Sequence, residues 1–276
     1  MRLDFVKMHG LGNDFVIIDE RAGGHALTAA QFARLADRRR GIGCDQVLLL
    51  ERPRDARAAA RYRVVNADGS PAEHCGNGVR CVARYLARHG GTGARIDLEI
   101  GNAIYALDLL DDGNVRVDMG IPCFAPGAIP LTVAAEQARY THTVDKREIV
   151  FGAVSIGNPH AVIEVADAAA APVAVLGPAV QACGLFPAGV NVGFMQVDAR
   201  DAITLRVYER GAGETEACGT GACAAMVIGR RWGRLDACVE VSLRGGRLVI
   251  EWDGDPAHSV WMTGPAAFVF EGSIDL

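Results

Sequence analysis

The chain has 276 residues, 50% hydrophobic and 22% charged, which is the composition of a globular protein and excludes disorder as its main state. Its formal net charge of −5 provides no basic field for nucleic acid. Asp4 and Lys7 interrupt the start of the chain where a signal peptide needs an apolar run, and no stretch reaches the roughly 18 apolar residues of a membrane span. We therefore expect a cytoplasmic protein without membrane or nucleic-acid partners.

Strand-like runs outnumber helical ones along the chain. Helical composition and periodicity are confined to residues 29–39, 77–89 and 220–232. β-branched and aromatic runs predict strands at 15–19, 47–50, 62–65, 96–100, 103–110, 115–119, 203–208, 239–243, 248–252 and 259–262. The alanine-rich stretch 167–172 is interpreted as a loop or a short helical fragment. Many strands with one or two helices per half predict an α+β fold.

An internal repeat begins in the first strand region. The sequence GNDFVIID at 12–19 recurs in outline as GNPHAVIE at 157–164, an offset of 145 residues. At the same offset, Gln46 matches Asn191.

The repeat continues at an offset of 143 residues. Residues 62–66 align with 205–209, and a Cys-Gly-x-Gly turn follows in each half, at 75–78 and 218–221. Each turn opens a predicted helix. Four matches in the same order, with nearly constant offset, predict two copies of one domain.

The two Cys-Gly-x-Gly turns suggest acid–base chemistry. A thiol just before a helix lies in the positive field of the helix N-terminus, which is expected to lower its pKa and supply some thiolate at neutral pH. The glycine N–H groups suit a carboxylate or phosphate. If the two halves face each other, Cys75 and Cys218 approach opposite faces of one carbon. One face would lose a proton and the other would gain one, which inverts a stereocentre.

The lysine inventory argues against a pyridoxal cofactor. Lys7 and Lys146 are the only lysines, one in an apparent strand and one in a polar stretch, and neither is an obvious Schiff-base residue. We expect no cofactor. Removal of an α-proton by a thiolate then requires desolvation and N–H donors aimed at the developing enolate.

Metal and dinucleotide sites are poorly supported. The pairs Cys75/Cys81 and Cys218/Cys223 do not have good zinc-knuckle spacing, and no Cys-x-x-Cys occurs. Residues 219–224 formally match G-x-G-x-x-A, but the loop before them breaks the tight strand–turn–helix that the motif requires. We expect no metal.

These motifs resemble those of the diaminopimelate epimerase family, cofactor-independent enzymes of lysine and peptidoglycan precursor synthesis. The resemblance covers nearly the whole chain. It rests on MHGLGNDFVIID (8–19), GIGCDQ (41–46), NADGS (66–70), CGNGVRC (75–81), GAVSIGNPHAV (152–162), NVGFMQV (191–197), RVYERGAGETEACGTGACAA (206–225) and MTGPA (262–266).

The resemblance implies two similar pseudo-symmetric α+β domains, each with mixed strands around a central helix and the active site in the interdomain cleft. The expected domains are 1–119 and 120–263, with a C-terminal strand at 264–276 returning to the first. It also implies a homodimer and diaminopimelate as the small-molecule substrate.

The resemblance further implies a role for each motif residue. Cys75 and Cys218 would be the acid–base pair that interconverts LL- and meso-diaminopimelate. His160 and Glu209 would orient the reacting ammonium end, and Arg210 would pair with the distal carboxylate. The expected substrate-binding residues, in which the backbone of 76, 77, 219 and 220 holds the reacting carboxylate, are Asn13, Gln46, Asn66, Gly76, Asn77, Asn158, Asn191, Glu209, Arg210, Gly219 and Thr220.

The residues by themselves support part of this set. Five of the seven asparagines, at 13, 66, 77, 158 and 191, fall in the repeated blocks. Any one turn asparagine is best explained by local backbone capping, but five in repeated blocks favour a common site.

Two other functions remain open at this stage. A proline or hydroxyproline racemase of the same two-thiol class is the nearest, although those relatives tend to carry His after the first Cys-Gly, where this chain has Asn77. A thiol-redox or carboxylate-binding protein without epimerase activity is the other.

Overall fold

Two structural units make up the chain, and each contains its own series of paired strands. The computed structural model describes residues 1–72, 76–90, 93–101 and 103–276. Unit 1 comprises Met1–Val117 and Gly264–Leu276, and unit 2 comprises Asp118–Thr263.

The sheet of unit 1 contains seven consecutive strands and the C-terminal strand among the described residues. These are β1 (Arg2–Gly10), β2 (Asn13–Asp19), β3 (Gln46–Glu51), β4 (Ala60–Asn66), β5 (Arg95–Ile100), β6 (Ala103–Leu109), β7 (Val115–Asp118) and β17 (Ala267–Asp275). Their order is β17-β1-β2-β3-β4-β5-β6-β7, with β2–β3 and β4–β5 parallel and the other pairs antiparallel.

The sheet of unit 2 repeats this arrangement. Its strands are β8 (Tyr140–Val144), β9 (Arg147–Ser155), β10 (Pro159–Glu164), β11 (Asn191–Ala199), β12 (Ala202–Glu209), β13 (Gly213–Glu214), β14 (Cys238–Leu243), β15 (Gly246–Glu251) and β16 (Trp261–Gly264). The order is β8-β9-β10-β11-β12-β14-β15-β16, with β10–β11 and β12–β14 parallel, while the short β13 pairs with β12. The predicted α+β fold of two similar halves is confirmed.

The register of the parallel pairs matches as well. Phe15 lies opposite Gln46 in unit 1, and His160 lies opposite Asn191 in unit 2, both displaced by the offset of 145 found in the sequence. The repeat is therefore a repeat of structure at the level of single residue pairs.

Each unit packs one long helix and one shorter helix against its strands. Unit 1 has α1 (Ala29–Ala36) and α2 (Gly76–Gly90), and unit 2 has α3 (Val173–Ala182) and α4 (Gly219–Arg231). Residues 219–229 of α4 are all buried, because strands contact this helix around its circumference. In the described part of the chain, none of the helices has the length and apolar character needed to cross a membrane.

The predicted helices at 29–39, 77–89 and 220–232 correspond to α1, α2 and α4, the last two within one residue at each end. Of the two interpretations of 167–172, a loop or a short helical fragment, the structure shows a loop with turns, but the helix α3 that follows it was not predicted. Its Gly177 allows α3 to pack on Tyr208, since a Cβ there would lie 2.5 Å from the Tyr208 ring. The apparent strand that contains Lys7 is β1, whereas β8, β9, β10, β11 and β13 were absent from the predicted strand runs.

Candidate active site

The first asparagine turn joins β1 to β2. Leu11 and Gly12 both have positive φ, 56° and 83°, and this turn places Asn13 at the first position of β2. The Asn13 Nδ2 donates to Asp45 Oδ2 at 2.9 Å. Asp14 and Asp45 also exchange backbone-to-carboxylate hydrogen bonds of 3.1 and 2.9 Å, which tie the start of β2 to the segment before β3.

A network of charges supports this turn. The nearly buried Lys7 Nζ lies 2.6 Å from Asp14 Oδ2 and also donates to the Gly43 carbonyl. Arg38 bridges the carboxylates of Asp14 and Asp45 at 2.7 and 2.8 Å. Burial raises the pKa of Asp14, but hydrogen bonds from Arg38 and Lys7 outweigh burial and hold that pKa well below its usual range.

Two further candidate residues of unit 1 face each other across β3 and β4. Gln46 Nε2 donates to Asn66 Oδ1 at 3.1 Å, and Asn66 Nδ2 donates to Ser70 Oγ at 3.1 Å. Gln46 and Asn66 are direct partners in the register, so their proximity follows from strand pairing.

The start of α2 carries the residues of unit 1 whose backbone N–H groups are expected to bind the reacting carboxylate. Gly76 is the first helical residue, and both Gly76 and Asn77 are buried. The Asn77 Nδ2 donates to Asn13 Oδ1 at 3.4 Å, which joins two of the predicted site residues. Cys75 lies outside the described residues.

The second asparagine turn, in unit 2, is held differently. Gly157 has a φ of 81° and precedes Asn158, whose Oδ1 lies 2.9 Å from His160 Nε2. Burial, together with the smaller effect of the positive charge of Arg210, lowers the pKa of His160 to about 3. The ring is therefore neutral at physiological pH, and Nε2 carries the proton because the amide oxygen can only accept.

Asn191 and Arg210 are joined at the edge of the same unit. The Arg210 backbone N–H donates to Asn191 Oδ1 at 2.9 Å, and Asn191 Nδ2 donates to the Pro159 carbonyl at 3.3 Å. The Arg210 guanidinium donates to the Ala188 carbonyl at 2.7 Å. Gly189 has a φ of 76°, and a Cβ there would lie 2.6 Å from Arg210 Cδ, so glycine is required beside the arginine stem.

Cys218 is the residue directly before α4, and it is buried. Its Sγ lies 3.6 Å from Thr220 Oγ1, and Glu209 is close enough to interact with the thiol. Glu209 in turn accepts a short hydrogen bond from the Thr215 hydroxyl. A nucleophilic sulfur, a carboxylate and a helix N-terminus therefore meet at one place.

The pKa predicted for this thiol is wrong in direction. Burial raises the pKa of Cys218 well above its ordinary value, and the negative charge of Glu209 raises it further. Hydrogen bonds from Thr220 and the Gly221 N–H act in the opposite direction but are outweighed. Cys218 is consequently a protonated thiol at neutral pH.

The predicted site residues thus fall into local groups within each unit. Unit 1 joins Asn13 to Asn77 and Gln46 to Asn66. Unit 2 has three such groups. These are Asn158 with His160, Asn191 with Arg210, and Cys218 with Glu209, Gly219 and Thr220. Among the described residues, no group of three or more His, Cys, Asp or Glu is placed to hold a metal ion.

Sequence reasoning did not select Asp45 and Arg80, which both bond to candidate asparagines. Their positions inside GIGCDQ and CGNGVRC were the available signal. An aspartate before a strand and an arginine in a helix are ordinarily solvated, and only the tertiary contacts distinguish these two.

Comparisons with known proteins identify the family of this chain. The family model for diaminopimelate epimerase matches residues 5–125 and 152–269. The chain is 52% identical over 279 residues to the diaminopimelate epimerase of Alkalilimnicola ehrlichii and 53% identical over 278 residues to that of Thioalkalivibrio sulfidiphilus, with 100% of both chains covered in each case.

Solved structures show the same fold at low sequence identity. A hydroxyproline epimerase from Agrobacterium vitis superposes with a TM-score of 0.71 at 16% identity, covering 99% of this chain and 92% of the other. A phenazine biosynthesis protein of the PhzF family from Enterococcus faecalis gives a TM-score of 0.66 at 14% identity, with both chains fully covered. From the matched family model and these full-length relatives, the chain belongs to the diaminopimelate epimerase family.

Proposed function

We propose that this protein epimerises LL-diaminopimelate to meso-diaminopimelate, with Cys75 and Cys218 as the acid–base pair. The observation that carries the proposal is the buried Cys218 thiol at the start of α4, beside Glu209, in a unit that repeats unit 1 strand for strand. In the sequence, Cys75 directly precedes the first residue of α2 and so has the corresponding position.

The reaction needs only proton transfers. One thiolate removes the α-proton, and the electron pair left on the α-carbon is delocalised into the adjacent carboxylate as an enolate. The other thiol donates its proton to the opposite face, so each turnover exchanges the protonation states of the two sulfurs. The raised pKa of Cys218 supports its role as the proton donor of the resting enzyme.

The helix starts supply the electrostatic stabilisation. The N–H groups that open a helix are directed outward from its N-terminus. In this proposal, those of Gly76 and Asn77 in α2 and of Gly219 and Thr220 in α4 bind the reacting carboxylate, where negative charge increases as the enolate forms.

The remaining candidate residues bind and orient the rest of the substrate. Arg210 pairs with the distal carboxylate, and the bidentate geometry of a guanidinium suits that role. Glu209 accepts hydrogen bonds from the reacting ammonium group. His160 acts on that end through Asn158, because its Nε2 proton is already directed at the Asn158 amide oxygen. Amide side chains complete the binding set, namely Asn13, Gln46, Asn66 and Asn191.

The same proposal assigns no pyridoxal to the enzyme. The Lys7 ammonium is bound to Asp14 and the Gly43 carbonyl, and Lys146 lies in the exposed turn between β8 and β9. Thiol chemistry at the described cysteines, none of which forms a disulfide, suits the reducing cytoplasm.

We also propose a homodimer. The strand β17 pairs with β1 and exposes Val269 and Phe270, with 53% and 48% of their surface accessible. Exposed apolar side chains on a strand of this kind favour association with a second copy. Sedimentation velocity of the wild type, with Phe270→Glu as the variant, tests this assembly, and a monomeric wild type would contradict it.

The activity is tested by proton NMR in deuterated water. The reduced enzyme is incubated with LL-diaminopimelate and, in separate samples, with L-proline and trans-4-hydroxy-L-proline, with no pyridoxal added. We expect loss of the α-proton signal and appearance of the meso isomer with diaminopimelate only. Exchange on a proline substrate alone would reassign the substrate, and no exchange on any of them from a folded sample would reject epimerase activity.

A further inference from the structure

A continuous chain of hydrogen bonds runs through the candidate residues of unit 1. Arg80 Nη2 donates to Asn77 Oδ1 at 2.8 Å. Asn77 Nδ2 donates to Asn13 Oδ1 at 3.4 Å, and Asn13 Nδ2 donates to Asp45 Oδ2 at 2.9 Å. Two neutral amides therefore lie between a guanidinium at one end and a carboxylate at the other.

The charged ends determine which way both amides face. A guanidinium can only donate and a carboxylate can only accept. Asn77 must turn its oxygen to Arg80, which leaves its nitrogen for Asn13, and Asn13 must turn its nitrogen to Asp45. With either charge removed, the chain loses one of the groups that fix the direction of its hydrogen bonds, because an amide has both a donor and an acceptor.

The burial of Arg80 is costly for the fold. The side chain is fully buried at the fifth residue of α2, close to the positive end of the helix. It is held by hydrogen bonds to the Gly76 carbonyl at 3.3 Å and the Pro265 carbonyl at 3.1 Å, as well as by Asn77. The same guanidinium thus contacts both candidate carboxylate-binding residues at the start of α2.

The repeat shows that packing alone does not need these charges. At the offset of 143, Arg80 corresponds to Cys223, and at the offset of 145, Asp45 corresponds to Val190. Both counterparts are buried and uncharged. The charged ends belong to unit 1 alone, together with the amide chain that they orient.

From this arrangement we infer that Arg80 and Asp45 are positioning residues, which set the orientation of Asn77 and Asn13 toward the substrate. The inference rests on the proposed function, since it assigns an indirect role in that same reaction. Neither residue is proposed to touch the substrate.

Asp45→Asn is the first test, because the Asp45 side chain is 44% exposed and the variant should fold. We expect kcat/KM for LL-diaminopimelate to fall by about 10- to 100-fold. Arg38→Gln is the matched control, since it removes the ion pairs to Asp14 and Asp45 but keeps the Asp45 carboxylate. That variant should stay close to the wild-type value.

A double-mutant cycle separates positioning from a general structural role. If Asp45 acts through Asn13, the Asn13→Ala/Asp45→Asn variant should be no less active than Asn13→Ala alone. Independent, fully multiplied losses would overturn the inference, and so would equal losses in Asp45→Asn and Arg38→Gln.

Arg80→Met tests the other end of the chain against Arg84→Met. Arg84 donates to the Ala266 carbonyl at 2.6 Å, so both arginines bind the C-terminal segment, and Arg80 in addition bonds to Gly76 and Asn77 at the helix start. We expect Arg80→Met to lose at least tenfold more kcat/KM than Arg84→Met. Equal losses would make Arg80 a clamp on the C-terminal segment only, and if Arg80→Met does not fold, the Asp45 cycle decides.

The two levels of failure are distinguishable. A wild-type enzyme without α-proton exchange on any substrate would refute the proposed function. An active wild type whose Asp45→Asn variant is equally active would refute only the positioning role.

Discussion

The two units share strand order, register and helix starts, but they hold their repeated asparagines in different ways. Asn13 donates to a carboxylate, Asp45, that reaches it from the segment before the neighbouring strand. Asn158 instead accepts from His160, two residues along its own chain. The two units therefore share a backbone arrangement but orient the corresponding asparagine side chains through different partners.

The residues that hydrogen-bond to Asn13 and to Asn158 come from different positions of the repeat. Phe15 occupies in unit 1 the place of His160 in unit 2, and Val190 occupies in unit 2 the place of Asp45 in unit 1. Wherever one unit has the polar partner, the other has an apolar residue. The backbone of the repeat fixes where a partner could be, and the side chains decide which position supplies it.

The ion pair of unit 1 has no equivalent in unit 2. Lys7 pairs with Val16 in its sheet, and Ala153 pairs with Ala161, the residue that corresponds to Val16 at the offset of 145. Asp14 corresponds to Pro159 in the same way. The asparagine turn of unit 1 is therefore held by charged groups, whereas that of unit 2 is held by the neutral His160, and the two turns should respond differently to mutation and pH.

The largest effect on turnover is expected from the cysteines at the two helix starts, because the reaction needs both of them equally. Cys218→Ala and Cys75→Ala should each lower kcat by about 10³-fold or more, because each removes one of two obligatory proton carriers. Turnover is followed by loss of the α-proton signal in deuterated water.

Cys223→Ala is the matched control for the first of these variants. Cys223 is a buried thiol of the same helix α4, one turn beyond Cys218. Its replacement should leave kcat near the wild-type value. If either Cys75→Ala or Cys218→Ala kept full activity, the two-base mechanism would be wrong.

Lys7→Met should produce the next largest effect, this time on stability. It leaves the part-buried Asp14 carboxylate without one of its two cations, and breaking such a pair should lower the free energy of unfolding by about 3 kcal/mol. Urea unfolding measures the loss. Lys146→Met, at the only other lysine and in an exposed turn, should change stability by less than about 0.5 kcal/mol. Similar losses of unfolding free energy in Lys7→Met and Lys146→Met would show that the Lys7–Asp14 ion pair does not stabilise unit 1.

His160→Gln should change how the free energy of unfolding depends on pH. The folded pKa of His160, about 3, lies below the unfolded value of 6.5, so the unfolded state binds the proton first as pH falls. Stability is fully present above pH 6.5 and is lost on acidification toward pH 3, by up to about 1.4 kcal/mol per pH unit.

Urea unfolding at pH 6.5 and 4.5 tests this slope. The wild type should lose about 2 kcal/mol more than His160→Gln over this interval. The control is His258→Gln, since the pKa of the exposed His258 is raised by Asp253 and so has the opposite sign. An unchanged slope in His160→Gln would show that His160 is not the buried neutral group described above.

The sequence was most informative where the pattern is local. Both Gly-rich helix starts were predicted within one residue, because glycine turns followed by apolar periodicity leave few alternatives. The helix α3 was missed because Pro172 and Pro178 are normally helix breakers. In the structure, Pro172 precedes the first helical residue, where no N–H is needed.

Tertiary effects account for the other differences. The β8–β9 hairpin turns through Asp145 and Lys146, both with positive φ, and this pair lacks the glycine that usually signals such a turn. The pKa of Cys218 follows from burial and from Glu209, neither of which the local Cys-Gly-x-Gly pattern contains. The orienting roles of Asp45 and Arg80 likewise depend on contacts across the fold.

The smallest predicted effect concerns α1 and α3, the shorter helices of the two units, which begin in different ways. Thr28 caps α1, with its Oγ1 accepting from the Gln31 N–H at 3.3 Å while the Gln31 side chain accepts from the Thr28 N–H at 2.9 Å. The helix α3 has no side-chain cap and starts after Pro172. Thr28→Ala should therefore lower the free energy of unfolding by about 1 kcal/mol.

Thr28→Ser separates capping from packing, because serine keeps the accepting oxygen and loses only a methyl group. We expect it to stay within a few tenths of a kcal/mol of the wild type in urea unfolding. Amide hydrogen exchange should be faster in Thr28→Ala at Gln31 and Phe32, the residues of the first turn of α1, than in the wild type. If exchange there were unchanged, or if Thr28→Ser were as destabilised as Thr28→Ala, α1 would be held by its buried side chains alone and would resemble α3 in this respect.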